Sequence, residues 1–162
     1  MKVSLSWLKE LVKYNLSDNQ LAEKLSLFSI GVKLQTKDYL ELDLTYNRGD
    51  LLSMRGVARE VSAISDSHLT SEKADFPWNG KELPKTPVEI EDENLSPVQV
   101  VAKIENLKVE QSPDTWVKKL SECGMRSVNN IVDVTNLMML EYGQPFHSFA
   151  AEKVQDETII VR

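Results

Sequence analysis

Cysteine, histidine, basic charge and long apolar runs are all scarce in this 162-residue sequence. A single cysteine, Cys123, excludes an internal disulfide framework. With only two histidines beside it, no set of soft ligands exists for a structural zinc. No apolar stretch approaches the roughly 18 residues of a membrane-spanning helix. The opening MKVSLSWLKEL reads as an amphipathic helix rather than a secretory signal, so the expected compartment is the cytoplasm, with no membrane partner. Lys and Arg number 19 against 25 Asp and Glu, a formal net charge of −6. An independent nucleic-acid binder needs a basic footprint for phosphates. DNA is therefore not an expected partner, and any RNA handled here must be held mainly by other chains or segments. Neither a phosphate loop nor a glycine-rich dinucleotide fingerprint occurs, so the chain is expected to bind no ATP by itself.

What is present is ordinary for a globular protein: 41% hydrophobic and 27% charged residues, enough for one medium domain or two small ones. Ser6 to Tyr14 reads as a short helix with Trp7, Leu8, Leu11 and Val12 on one side. Ser17 to Gln20 has the form of a capping box, opening a helix that turns Leu21, Leu25 and Phe28 inward. Leu40, Leu42 and Leu44 alternate with polar residues as a half-buried strand. Asp50 is expected to cap a helix running from Leu51 to about Ser65, with Leu51, Met54, Ala58, Val61 and Ile64 inward. The Arg48 guanidinium is expected to meet a carboxylate at a subunit or domain contact.

These elements predict an α+β chain whose first domain spans 1–65. Residues 66–86, rich in Ser, Lys, Pro and Gly, read as a linker; within it Phe76-Pro77-Trp78 is expected to dock on a neighbour and His68 to lie on the surface. The second unit, 87–162, opens with a short strand at Val88 and Ile90. Val98, Val100, Ala102 and Ile104 predict a second strand by their period of two. Ser112-Pro113 reads as an N-cap and first helical residue, with Trp116, Leu120 and Cys123 inward and Gly124 as the stop. Cys123 reads as packing, since no base can be placed beside it. Thr158 to Val161 reads as a final strand.

The chain is organised around Gly124 to Phe149, GMRSVNNIVDVTNLMMLEYGQPFHSF. Ile131, Val134, Met138 and Tyr142 have helical apolar spacing. Asn129, Asp133 and Asn136 recur at i, i+4 and i+7 and so share a face. Such short polar residues compete with the helix for backbone hydrogen bonds. Two readings fit them. One is a structural hydrogen-bond network tying helix to loop; the other is a polar pocket lined by Arg126, Asn129, Thr135, Asn136 and His147.

At these residues the sequence resembles the beta subunit of bacterial-type phenylalanyl-tRNA synthetase. The run GMRSVNNIVDVTN, six residues, then GQPFHSFA is similar to that family's G-x-R-P-x-N-N-x-V-D-x-T-N followed by G-Q-P-x-H-A-F-D. LELDLTYNRGDLLSMRGVAREVSAI at Leu40 to Ile64 resembles its T-P-N-R-x-D-x-x-S segment, and the amino terminus resembles the family's opening. The resemblance implies a small helical/β amino-terminal domain followed by the first part of an α/β editing domain. Only Lys33 to Tyr39 stand where most relatives carry an inserted tRNA-binding barrel. Ser127 replaces the family's Pro, and Ala150 its Asp.

The resemblance also implies a chemistry. An apolar pocket rejects an isostere that merely adds a hydroxyl by only about 100-fold, and tyrosine is phenylalanine plus one hydroxyl. The remedy is a second site that hydrolyses mischarged Tyr-tRNA-Phe. Carried over, His147 orients the ester or the attacking water, which a histidine with its ordinary pKa of about 6.5 suits. Thr135 and Asn136 fix the terminal ribose and the amino-acid backbone, and Arg126 contacts the tRNA end. His147 and Thr135 are thus the expected catalytic pair, Arg126 and Asn136 the expected binding residues, with no metal. The groups that read the tyrosine hydroxyl are expected beyond Arg162, leaving the sheet here truncated with exposed edges and the isolated chain inactive. The resemblance further implies charging of tRNA-Phe on a separate alpha subunit with ATP and Mg, in an alpha2beta2 assembly. The alternatives are a non-catalytic interaction module and a stand-alone editing protein acting in trans.

Overall fold

The computed structural model describes residues 1–70 and 86–162. The Phe76-Pro77-Trp78 expectation, and most of the 66–86 stretch, lie outside the described residues. The fold is α+β. Among the described residues, 1–70 and Val109–His147 pack as one compact unit, and 86–108 with Ser148–Arg162 as a second.

The first unit begins with strand β1 (Lys2–Ser4), which runs into helix α1 (Leu5–Leu11). The Ser4 hydroxyl caps α1 by accepting from Trp7 N at 3.1 Å. Helix α2 (Asp18–Phe28) starts with the expected capping box: Ser17 Oγ accepts from Gln20 N, and the Gln20 side chain accepts from Ser17 N. Strands β2 (Gly31–Gln35) and β3 (Tyr39–Asp43) form an antiparallel hairpin, and β1 pairs on the other side of β3. A tight turn at 36–38, pinned by Thr36, joins β2 to β3.

Helix α3 (Met54–Ser65) is capped by Ser53, whose Oγ accepts from Gly56 N at 3.0 Å, and not by Asp50. Asp50 lies in a 3₁₀ turn, Gly49–Leu52, with its carboxylate held by the Arg48 guanidinium at 2.9 and 3.0 Å. That contact also holds the Asp50 carboxyl below its usual range. Arg48 additionally reaches Glu60 at 2.7 Å, so the carboxylates it meets belong to its own unit. The Asn-Arg-Gly-Asp signal marks a turn correctly, but a serine three residues later is free to cap.

The core joins α1, α2, β1, β3 and α3 through Val3, Trp7, Leu8, Leu21, Leu25, Leu40, Leu42, Leu51, Met54 and Val61, all buried. Phe28 is not among them: it stands 72% exposed at the last turn of α2, one residue before the chain leaves the helix at Ser29. Onto this core pack helices α4 (Asp114–Glu122) and α5 (Asn130–Tyr142), contributing Leu120 and Leu137. Polar ties reinforce the packing. Glu122, buried on α4, accepts from the hydroxyls of Ser4 and Ser6. Arg55 on α3 reaches Glu141 on α5 at 2.7 and 2.9 Å and lies over the Tyr142 ring. Lys119 reaches Glu10 at 2.6 Å and lies over Trp7.

In the second unit, strand β4 (Val88–Ile90) pairs in parallel with β5 (Ile159–Val161). The strand expected over Val98–Ile104 does not form. That stretch is irregular, and Val100 is 82% exposed. Alternation makes a strand only where a neighbouring strand accepts its backbone hydrogen bonds, and none lies beside it among the described residues.

Candidate functional site

Helix α5 and the chain on either side of it carry the residues singled out in the sequence. Asn129 is the N-cap: its Oδ1 accepts from Ile131 N and Val132 N, both at 3.0 Å. Four residues later Asp133 is fully buried. It accepts from Ser112 Oγ at 2.5 Å, Ser127 Oγ at 2.5 Å and Val128 N at 2.9 Å. Burial pushes this carboxyl upward, but the two hydroxyls and the backbone N–H groups of Val128 and Asn129 outweigh it and hold the carboxyl below its usual range. Ser112 is therefore not the N-cap of α4. Pro113 precedes the helix, and its carbonyl accepts from Trp116 N and Val117 N.

The inward face of α5 runs through Asp133, Leu137 and Leu140. It is offset from the apolar set Ile131, Val134, Met138 and Tyr142; Tyr142 is 50% exposed. The reason is Asp133 itself. A hydrogen-bonded carboxylate occupies the centre of the buried face, where apolar periodicity cannot register it. Asn129 and Asp133 thus serve the structural network of the first reading.

The remaining residues sit around that network. Thr135 and Asn136 follow on α5, both half-buried. The Thr135 hydroxyl donates to Val132 O at 2.7 Å, which leaves it able to accept, not donate, toward a ligand. Arg126 is exposed in the α4–α5 connection, immediately before Ser127. Helix α5 ends at Gly143, whose φ of 79° is the left-handed conformation of a helix stop and whose N donates to Met139 O at 2.8 Å. His147 follows on the exposed Gly-Gln-Pro-Phe segment. Cavities of about 230 Å³ (Leu44, Thr45, Tyr46, Arg48, Gly49, Leu52) and 80 Å³ (Leu11, Arg55, Ala58, Arg59, Leu69, Thr70) lie elsewhere in the first unit, and these four residues line neither. The Cys123 thiol is pushed up by burial and by the Glu122 charge, the opposite of an activated nucleophile.

Sequence reasoning missed Glu122 and the Arg55–Glu141 pair. Neither carries a local signal, because each finds its partner more than 80 residues away along the chain.

Residues 96–162 match the family model of the B3/4 domain. The whole chain is 36% identical over 167 aligned residues to the phenylalanine–tRNA ligase beta subunit of Rhodopirellula baltica, covering 24% of that relative. It is 45% identical over 130 residues, 80% of this chain and 16% of the relative, to the beta subunit of Carboxydothermus hydrogenoformans. To that of Dehalococcoides mccartyi strain 195 it is 44% identical over 124 residues, 76% of this chain and 15% of the relative. The chain is therefore a homologue of phenylalanine–tRNA ligase beta subunits, and it spans between 15% and 24% of their length. Among the described residues, no helix is long and apolar enough to cross a membrane.

Proposed function

We propose that this chain works as part of a phenylalanine–tRNA ligase beta subunit and contributes to the hydrolytic removal of tyrosine from mischarged tRNA-Phe. The observation that carries the reading is the arrangement on α5: Arg126 next to the locked turn, with Thr135 and Asn136 two and three residues beyond the carboxylate that locks it. A rigid helix is the support that a hydrolytic site needs, because misplacement by about 1 Å can cost about 100-fold in rate.

In this reading water adds to the tyrosyl ester carbonyl, the bond from that carbon to the ribose oxygen breaks, and tyrosine and a free terminal hydroxyl leave. His147 orients the water or the ester. Thr135 accepts a hydrogen bond from the ligand's ammonium group or ribose hydroxyl, since its own proton is committed to Val132. Asn136 completes the hold on the amino-acid backbone, and Arg126 meets a phosphate of the tRNA end. The net charge of −6 assigns the bulk of tRNA binding to other parts of the assembly. Charging with ATP and Mg belongs, in this reading, to the alpha subunit of an alpha2beta2 enzyme.

The test is deacylation of Tyr-charged against Phe-charged tRNA-Phe by the chain within its assembly with the alpha subunit. Selective loss of tyrosine that His147→Ala abolishes supports the reading, and unselective or His147-independent loss contradicts it. A second reading, an interaction module without catalysis, draws on Leu27 and Phe28, which stand 68% and 72% exposed at the end of α2. Tight association with the alpha subunit without turnover selects it.

A further inference from the structure

We propose that Asp133 is a positioning residue that fixes Arg126 relative to Thr135 and Asn136, so that a guanidinium on a loop and a hydroxyl and amide on a helix meet one aminoacylated RNA end. The proposal rests on the editing reading above. Its foundation is where the carboxylate's partners lie. Ser112 precedes α4, and Ser127 and Val128 follow it, so one side chain fastens both ends of α4 to α5. A second bridge runs beside it, with Asn130 N donating to Glu110 O at 3.0 Å and Glu110 N donating to Asn130 Oδ1 at 3.1 Å.

Arg126 sits between two anchored neighbours. On one side Met125 N donates to Leu120 O at 2.8 Å, just past Gly124 with its left-handed φ of 81°. On the other side Ser127 donates through its hydroxyl, and Val128 through its N–H, to Asp133. The connection from Gly124 to Asn129 has no regular secondary structure of its own. Remove the carboxylate and the anchor at Ser127 and Val128 is gone, so on that side the Arg126 backbone is next held only at Asn129 and Asn130. Thr135 and Asn136 keep their places, because α5 retains its Asn129 cap and its Leu137 contact with the core. Asp133 therefore acts on the loop half of the site and leaves the helix half where it is. It touches no ligand.

The experiment is a double-mutant cycle on the intact 162-residue chain, titrated with a CCA trinucleotide carrying a 3′-tyrosylamide, which cannot be hydrolysed. Asp133→Asn is the direct variant. Ser127→Ala removes one hydroxyl from the same carboxylate and keeps the test open where Asp133→Asn does not fold. Each is measured alone and combined with Arg126→Ala. The expected result is a loss of about 3- to 10-fold for either variant in the native background and less than about 2-fold when Arg126 is already alanine, the non-additivity of residues acting through one another. Equal losses in both backgrounds overturn this inference alone, because a merely structural lesion weakens binding regardless of Arg126. A silent Arg126→Ala, or no saturable binding by the native chain, overturns the editing reading and this inference with it.

Discussion

Replacing Asp133 by asparagine changes one oxygen into an amide nitrogen at the centre of a buried cluster, and the structure sets the size of the effect. Asparagine keeps one acceptor, which serves Val128 N. It places an NH₂ group where the hydroxyls of Ser112 and Ser127 now donate at 2.5 Å. Hydrogen bonds to a charged group contribute about 1.5–3 kcal/mol and neutral ones about 1 kcal/mol. Exchanging two of the first kind for two of the second costs about 1–4 kcal/mol. Burying an amide in place of a charge offsets part of this. The net expectation is a loss of about 2 kcal/mol, or about 4–8 °C in Tm at roughly 2–4 °C per kcal/mol for a chain of this length. Urea unfolding followed by circular dichroism measures it, with an unchanged m value showing that only stability moved.

The same substitution carries a pH signature. The native carboxyl is held below its usual range, so its stabilisation is complete above the unfolded value of about 3.9 and is lost as pH falls through the lower folded value. Asparagine does not titrate. The gap between native and variant should therefore be constant from pH 7 down to about 5 and close below about pH 4. A gap under about 0.5 kcal/mol at neutral pH, the range of an ordinary surface change, refutes the reasoning. So does a gap that stays constant into acid.

Two further perturbations probe how the rest of the first unit holds α4 and α5. Arg55→Ala removes the contact with Glu141 and the stack on Tyr142, a partly exposed pair, at a cost of about 1 kcal/mol after solvent screening. Faster hydrogen exchange at the C-terminal end of α5 should report it, and Arg55→Lys should recover less than half, since lysine offers neither the fork nor the planar stack. Expressed alone, residues 96–162 should lack the near-ultraviolet dichroism of a packed Trp116 and show little amide protection in α4 and α5. Leu120, Leu137 and Glu122 would lose the partners that residues 1–65 supply. Protection equal to that in the intact chain contradicts that dependence.

The elements that could be read from sequence are those whose cause is local. The Ser17–Gln20 capping box, the Trp7–Leu8 face of α1 and the Leu40–Leu42 alternation all depend on residues within one or two turns, and each forms as its spacing indicates. Caps were less legible where several candidates stood close together. Asp50 and Ser53 compete before α3, and Arg48 decides the matter by taking the Asp50 carboxylate. Ser112 looks like a cap but is drawn away by Asp133, 21 residues on. The face of α5 was shifted because a carboxylate, not a leucine, lies at its centre. Val98 to Ile104 alternate as a strand does, yet pairing is a property of two segments and cannot be read from one. For the candidate site the motif identified which residues to watch and offered a network through Asp133 tying helix to loop, while the partners of that carboxylate, Ser112, Ser127 and Val128, emerged only from the packing.

An editing site here requires four side chains to serve one ligand. Titration of the ¹⁵N-labelled chain with 3′-tyrosylamino-3′-deoxyadenosine, followed residue by residue by nuclear magnetic resonance, tests this directly. The resonances of Arg126, Thr135, Asn136 and His147 should move together along one saturating curve. Shifts at Thr135 and Asn136 that leave His147 still, or that saturate at a different concentration from those at His147, would contradict it.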